Sequence, residues 1–145
     1  ICTDSTSLPC EFPSSDVMVL EGHTSEVFSC GWSPDGSLLA SGCGDSTARL
    51  WAIGDGPRNS TFQSRPVNVL VLKHLASRPN VSSRDVTTLD WNSESTHLAT
   101  GSYDGQARIW TRTGELVSTL NNHISPIFPL RWNKKGDYLL SGSAD

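Results

Sequence analysis

Residues 27–51 read VFSCGWSPDGSLLASGCGDSTARLW, and residues 86–110 repeat the pattern as VTTLDWNSESTHLATGSYDGQARIW. A third copy starts at residue 127 with IFPLRWNKKGDYLLSGSAD. Each copy has a Trp at its sixth position and an Asp at its nineteenth, and the first two copies have another Trp at the twenty-fifth. Trp91 and Trp132 are 41 residues apart, a period typical of β-propellers and other repeat arrays.

The local signals inside each copy predict short antiparallel strands joined by tight turns. Residues 33–36 (SPDG) are a turn, because Pro fixes φ and Gly tolerates positive φ. The runs between such turns are rich in β-prone residues and alternate in polarity. The predicted strands of the first copy are 26–32, 37–42, 47–51 and 67–72. In the second copy, a first strand is followed by strands at 97–101, 106–110 and 115–120. The fold class is therefore all-β, a partial propeller with two complete four-stranded blades and the first two strands of a third.

The spacing of the copies also predicts the domain organisation. Trp32 and Trp91 are 59 residues apart, 18 more than the next interval, so loop insertions are expected within about 52–66 and 75–85. Residues 1–15 are polar and are expected to form a linker or a disordered N-terminus. The repeat region is 16–145, with repeats at about 23–72, 74–120 and 123–145, the last one truncated. Residues 16–20 (DVMVL) are predicted to be a strand that completes a blade outside this sequence.

Composition narrows the class of protein. The formal net charge of −4 argues against a nucleic-acid surface made by bulk charge. No run of eighteen apolar residues is present, so no membrane span is expected. The sequence lacks an initiator Met and is expected to be a piece of a longer polypeptide. None of the four cysteines forms a C-x-x-C pair, and Cys30 and Cys43 fall in strand-like runs, which predicts buried reduced thiols in a reducing compartment.

The residues that could form a catalytic or metal site are better explained by a structural role. His23, Ser41 and Asp45 are the residue types of a hydrolase triad, but the same trio recurs in the other copies and no G-x-S-x-G motif is present. None of the four His has a second His or Cys at metal-ligand spacing. We therefore expect no catalytic residue, no metal site and no cofactor.

The order of the recurring residues resembles WD40 repeats over residues 16–145. Each copy has a His before the first strand, a hydroxyl residue late in the second strand and an Asp in the following turn, and the first two have a Trp in the third strand. The sequence departs from the family at Ala52 and Thr111, which follow that Trp where the eponymous Asp would stand. The departure is minor, because the Trp carries the packing.

The resemblance implies a chain of hydrogen bonds in each blade. A buried indole N–H needs an acceptor, which a Ser or Thr hydroxyl provides. That hydroxyl can bond a His nitrogen, and the other His nitrogen can donate to a carboxylate, which fixes the tautomer. His74 lies twelve residues before its strand, whereas His23 lies four before its own. The implied members are His23, Ser41, Asp45 and Trp51; His74, Thr100, Asp104 and Trp110; and His123, Ser141 and Asp145.

Longer phrases resemble one WD40 group more closely. GDSTAR, DVT-x-LDWN, ATGSYDG-x-ARIW and WNKKG resemble the transducin-beta-like F-box-like/WD-repeat proteins, including their plant-type member. The resemblance implies a nuclear, non-enzymatic scaffold of histone-deacetylase corepressor complexes on chromatin. Its partners would be corepressor subunits and a histone deacetylase, with histone tails as a further candidate and no direct contact with nucleic acid. The alternative is a substrate receptor or adaptor of a ubiquitin ligase.

Partner contacts are expected on the face that carries the His-bearing loops. Tyr103 is an aromatic residue on a tight turn and is the leading candidate anchor. The structural alternative is that Tyr103 only covers the neighbouring blade. Glu26, Arg84 and Asp85 are further candidates on the same face.

Overall fold

The computed structural model describes residues 12–54, 67–75 and 83–145. Its strands form three antiparallel sheets, with the orders β1-β2-β3-β4, β5-β6-β7-β8 and β10-β9. The predicted all-β partial propeller is thereby confirmed, as two four-stranded blades and one two-stranded half-blade. The strands are β1 Val27–Trp32, β2 Leu38–Cys43, β3 Thr47–Ala52, β4 Asn68–Lys73, β5 Val86–Trp91, β6 His97–Ser102, β7 Ala107–Thr111, β8 Leu116–Leu120, β9 Ile127–Trp132 and β10 Leu139–Ser143.

The turn between β1 and β2 is held by the side chain of Asp35. Its carboxylate accepts hydrogen bonds from the hydroxyl of Ser33 at 2.6 Å and from the backbone N–H of Ser37 at 3.0 Å. Gly36 follows with φ of 75°, a conformation that costs glycine little. The SPDG signal therefore specifies this turn through both its backbone and its carboxylate.

The three sheets share one register. Cys30 pairs with Ser41 in the first sheet, Leu89 with Thr100 in the second and Leu130 with Ser141 in the third. Each of these strand pairs also has an irregularity at the same end, such as the one between Val27 and Ser29. Equivalent positions in the copies can therefore be compared directly.

The buried core lies between neighbouring sheets. Trp91 of β5 packs into this core and donates its indole N–H to the carbonyl of Gly31 in the preceding sheet at 3.2 Å. A smaller cluster joins the second sheet to the third through Ala99, Ile127 and Leu130. Each repeat thus buries its apolar face by stacking on the next, as expected for a repeat array. The larger cluster consists of Ala40, Ala48, Leu50, Leu72, Val86, Leu89, Trp91, Leu98 and Trp110.

A close approach between the first two sheets requires glycine in β2. A Cβ atom at Gly42 would lie 2.8 Å from Cγ1 of Val86 and 3.0 Å from its carbonyl oxygen. The equivalent Gly101 approaches Ile127 of the third sheet in the same way, at 2.8 Å. The SG and TG pairs late in these strands therefore set the distance between blades.

One expectation from the sequence is wrong and another stays a prediction. Residues 16–20 pair with no strand of this chain: Ser14–Asp16 is a 3-10 turn, Val17 and Val19 are largely exposed, and the blade predicted to pair with them lies outside this sequence. An apolar alternation makes a strand only where it has an edge to pair with. Cys30 is exposed, whereas Cys43 is buried as expected. Leu89 and Leu130 occupy the position of Cys30 in the second and third sheets. Both are buried because each faces the preceding sheet of this chain, whereas the sheet of Cys30 is the first.

Other expectations lie largely outside the described residues. They include the linker up to residue 11, the first insertion from 55 to 66 and the second from 76 to 82. Within the described ranges, no helix has the length and apolar character needed to cross a membrane.

Candidate functional site

The first blade contains a linear chain of side-chain hydrogen bonds at the end where β2 turns into β3. Trp51 donates its indole N–H to Oγ of Ser41 at 2.9 Å. The same Oγ lies 2.7 Å from Nε2 of His23, whose Nδ1 lies 3.0 Å from a carboxylate oxygen of Asp45. These four residues come from the loop before β1, from β2, from the β2–β3 turn and from β3. The structure thus brings together all four predicted members.

Asp45 is the charged end of this chain. Burial acts to raise the pKa of Asp45, but hydrogen bonds from the Thr47 side chain, from His23 and from the backbone N–H groups of Thr24 and Thr47 outweigh it. The pKa of Asp45 is therefore held well below its usual range. An ionised Asp45 ties the His-bearing loop to the β2–β3 turn.

The carboxylate also decides the tautomer of His23. An ionised carboxylate only accepts, so Nδ1 of His23 must carry the proton. In the neutral ring, Nε2 then accepts from the hydroxyl of Ser41, which itself accepts from Trp51. Every polar atom of the chain has a partner, as burial requires.

The second blade repeats only half of this arrangement. Trp110 donates to Oγ1 of Thr100 at 2.9 Å, and Nε2 of His74 lies 2.8 Å from the same oxygen. Nδ1 of His74, however, faces Nη1 of Arg108 at 2.7 Å. The prediction that Asp104 completes this chain is therefore wrong. Asp104 instead accepts from the hydroxyl of Ser102 and from the backbone N–H of Gln106.

The path of the chain before His74 explains why Arg108, and not Asp104, lies at Nδ1 of this ring. His74 follows directly after β4 and not four residues before the next strand, as His23 and His123 do. Arg108 is fixed by the carbonyl of Leu75 at 2.8 Å and by the side-chain oxygen of Gln106 at 2.6 Å. The sequence signal was the twelve-residue spacing, because an arginine also stands at the equivalent position 49 of the first blade, where His23 bonds Asp45.

A guanidinium beside Nδ1 has the opposite effect on the ring. Arg108 only donates, so Nδ1 of His74 is the acceptor and Nε2 carries the proton. Burial, and then the charge of Arg108, lower the pKa of His74 to about 3. His74 is therefore a neutral ring whose tautomer is the reverse of that of His23.

The half-blade carries the chain of the first blade. Nδ1 of His123 lies 2.8 Å from Asp145, and its Nε2 lies 3.0 Å from Oγ of Ser141. The backbone N–H of Ile124 and then the His123 side chain lower the pKa of Asp145 to about 2. All three predicted members therefore meet.

This geometry does not leave a serine free for nucleophilic chemistry. Oγ of Ser41 is almost fully buried and already bonds both Trp51 and His23. A nucleophile must instead face a space where a substrate can sit. The trio therefore ties segments of one blade together.

The candidate partner residues lie near these chains. Tyr103 has 48% of its surface exposed, and its backbone N–H donates to the carbonyl of Asp85 at 2.9 Å. Gly44 and Glu26 make the equivalent contact in the first blade at 2.9 Å. Arg84 is half-buried next to Asp85. Tyr103, Arg84 and Asp85 thus share the second blade, and exposed Glu26 occupies the matching place in the first.

The family model for the WD domain, G-beta repeat, matches residues 14–52 and 73–111. The chain belongs to the WD40 repeat family. WD40 domains are platforms for protein–protein interaction and are generally non-catalytic. The two matched segments contain both tryptophan-bearing third strands.

Similar proteins narrow the relationship within the family. The WD40 repeat-containing protein HOS15 of Arabidopsis thaliana is 61% identical over 123 residues, which are 85% of this chain and 20% of that protein. The mouse F-box-like/WD repeat-containing protein TBL1X is 53% identical over 138 residues, 93% of this chain and 25% of that protein. The chain thus spans about a fifth to a quarter of the length of these relatives.

A solved structure has the same fold. The C-terminal WD40 domain of Sif2 superposes with a TM-score of 0.62 and 29% sequence identity, over 84% of this chain and 35% of that chain. The resemblance to the transducin-beta-like group and the partial propeller are both supported by these similarities.

Proposed function

We propose that this chain contributes to a non-catalytic scaffold of a histone-deacetylase corepressor complex that acts on chromatin in the nucleus. The observation that carries the proposal is the 53–61% identity to TBL1X and HOS15 over most of the chain. Identity at that level over most of the chain supports a shared class of partner. The inward use of Ser41, His23 and Asp45 agrees with a protein that binds and does not catalyse.

Tyr103 is the proposed anchor of the partner surface. A half-exposed aromatic ring on a rigid turn loses little conformational entropy on binding, which is why tyrosines are frequent in binding hot spots. The turn is rigid because its backbone bonds Asp85 and because Asp104 bonds Gln106 within it. Arg84 and Asp85 add one charge of each sign next to this turn, so the aromatic ring, and not a net charge, is the proposed contact for a corepressor segment or histone tail.

The test uses the protein at its natural length, with affinity capture from nuclear extract. Tyr103→Ala is expected to reduce the recovered corepressor subunits and deacetylase at least fivefold, in the range of a single hot-spot loss. Tyr138→Ala is the matched control: Tyr138 is also exposed, at 73%, but it precedes β10 at the opposite end of the half-blade. Equal recovery with Tyr103→Ala and wild type would reject the proposed surface.

The name of TBL1X carries the words F-box-like, which keeps a ubiquitin-ligase receptor as the second candidate. The same capture separates the two. Recovery of ligase subunits without a deacetylase would favour the receptor.

A further inference from the structure

The β2–β3 turn of the first blade gathers three kinds of metal ligand. A ring nitrogen of His23, Sγ of Cys43 and a carboxylate oxygen of Asp45 all lie within 4.8 Å of one another, and Nδ1 is the nitrogen that faces Asp45. Spacing along the sequence did not reveal this group, because His23 arrives from a loop twenty residues before Cys43. We propose that His23, Cys43 and Asp45 bind a thiophilic divalent cation of the zinc class, which fastens the His-bearing loop to the β2–β3 turn.

The thiol distinguishes this turn from its two counterparts. Cys43 pairs with Val27 across the sheet, as Ser102 pairs with Val86 and Ser143 with Ile127. The other repeats therefore have serine at the same position. A serine hydroxyl is a poor zinc ligand, whereas a thiolate is a favoured one. Only the first of the three described turns combines a thiol with a His–Asp pair.

The ligand atoms need only small displacements to bind a tetrahedral cation. Zinc binds Cys sulfur at about 2.3 Å and His nitrogen or carboxylate oxygen at about 2.0–2.2 Å, so tetrahedral ligand atoms lie roughly 3.3–3.7 Å apart. Nδ1 of His23 and the nearer oxygen of Asp45 are 3.0 Å apart, so this pair must widen by roughly 0.3–0.7 Å. The whole set is within 4.8 Å, so side-chain displacements of about 1 Å bring the remaining ligand atoms to bonding positions. A fourth position can be taken by water, because the side chains of His23 and Asp45 keep 8% and 9% exposure.

His74 in the second blade shows the tautomer that His23 would need in order to bind a cation through Nδ1. A metal on Nδ1 of His23 requires the proton to be on Nε2, facing Ser41. His74 has this tautomer, with the guanidinium of Arg108 at Nδ1 and Thr100 accepting at Nε2. Thr100 still accepts from Trp110 in that state. A cation at Nδ1 is therefore compatible with the rest of the hydrogen-bond chain.

Binding of the cation releases one proton from the three ligands. In the metal-free state the thiol of Cys43 donates to the carbonyl of Ser25 at 3.2 Å. On binding, the thiol loses its proton to solvent and the sulfur bonds the metal. The neutral ring of His23 keeps one proton, which moves from Nδ1 to Nε2, and Asp45 is already ionised. One proton is released for each metal bound.

The experiment uses Co²⁺ as a spectroscopic probe on the protein at its natural length, freed of metal and kept reduced. We expect a thiolate-to-cobalt charge-transfer band with the visible bands of a tetrahedral ion, both reversed by Zn²⁺. Cys43→Ser should lose the charge-transfer band with an unchanged circular dichroism spectrum, since serine is the residue of the other repeats. Below the thiol pKa, the binding constant should fall about tenfold per pH unit, because one proton is released.

Ser143→Cys provides the matched gain of function. It adds a thiol to the His123–Asp145 pair, so the charge-transfer intensity at saturation should double in this variant. No charge-transfer band in the wild type, or an undiminished band in Cys43→Ser, would overturn the proposal. The second result would assign the cobalt to other thiols. Neither result depends on partner capture, so a failure here is distinct from a failure of the scaffold proposal.

Discussion

Arg108 meets Nδ1 of His74 at 2.7 Å, at the ring atom where Asp45 meets His23 at 3.0 Å. Two repeats with one register thus use opposite charges on the same atom. Both arrangements satisfy the indole N–H of the third-strand tryptophan through a hydroxyl. What the fold requires is therefore the Trp–hydroxyl–His segment, whereas the group beyond the His can vary.

The titration of His74 follows from this relationship. Its pKa is lowered from 6.5 to about 3 by burial and by Arg108. In the unfolded chain the ring protonates near pH 6.5, so the unfolded state binds more protons and the folded state loses stability as pH falls from 6.5 towards 3. The loss should approach about 1.4 kcal/mol per pH unit. Unfolding measured between pH 7 and pH 4 checks this slope.

His74→Gln is the control for that slope, because it removes the titrating ring. Nitrogen-15 chemical shifts of the His rings provide a second check. They should report a proton on Nε2 of His74 and on Nδ1 of His23. The same tautomer in both rings, or protonation of His74 above pH 5, would contradict the geometry.

Ser41 and Trp51 should be energetically coupled. Ser41→Ala leaves a buried indole N–H without an acceptor and should lower the free energy of unfolding by about 1–3 kcal/mol. Once Trp51 is Phe, no indole remains to be orphaned, so the same serine change should cost less. A double-mutant cycle of Ser41→Ala and Trp51→Phe measures the difference. Strict additivity would mean that the bond contributes nothing specific.

Gly42 should tolerate no side chain. Gly42→Ala places a Cβ 2.8 Å from Val86 and should cost about 1–3 kcal/mol, because neighbouring sheets must separate. Gly54→Ala is the matched control, since a Cβ there meets no atom of the described residues within 4 Å. Chemical denaturation of both variants provides the comparison. Equal midpoints would show that the sheets are not held at this distance.

Most of the fold could be predicted because its signals are local and repeated. Turn residues such as those at 33–36 and the β-prone runs between them recur, and each copy supports the alignment of the others. The strand predicted at residues 16–20 lacks this support. Its apolar run occurs only once, and a strand depends on a partner edge that periodicity does not report.

The site could be predicted only where the chain route is the same in each repeat. His23 and His123 approach their blades identically, and their carboxylates are where the spacing expects them. His74 approaches from β4, and a long arginine side chain then reaches its ring from two residues beyond Gln106. Cys43 is two residues before Asp45, and only the folded chain brings His23 close to both. The contact between Arg108 and His74 depends on the path of the chain before His74.

The most direct test of the scaffold account is the identification of proteins that co-purify with the natural-length protein from nuclear extract. The account predicts a histone deacetylase with corepressor subunits, retained in Ser41→Ala protein that remains folded. Recovery of no deacetylase, or an enzymatic activity of the purified protein that Ser41→Ala abolishes without unfolding it, would contradict the account.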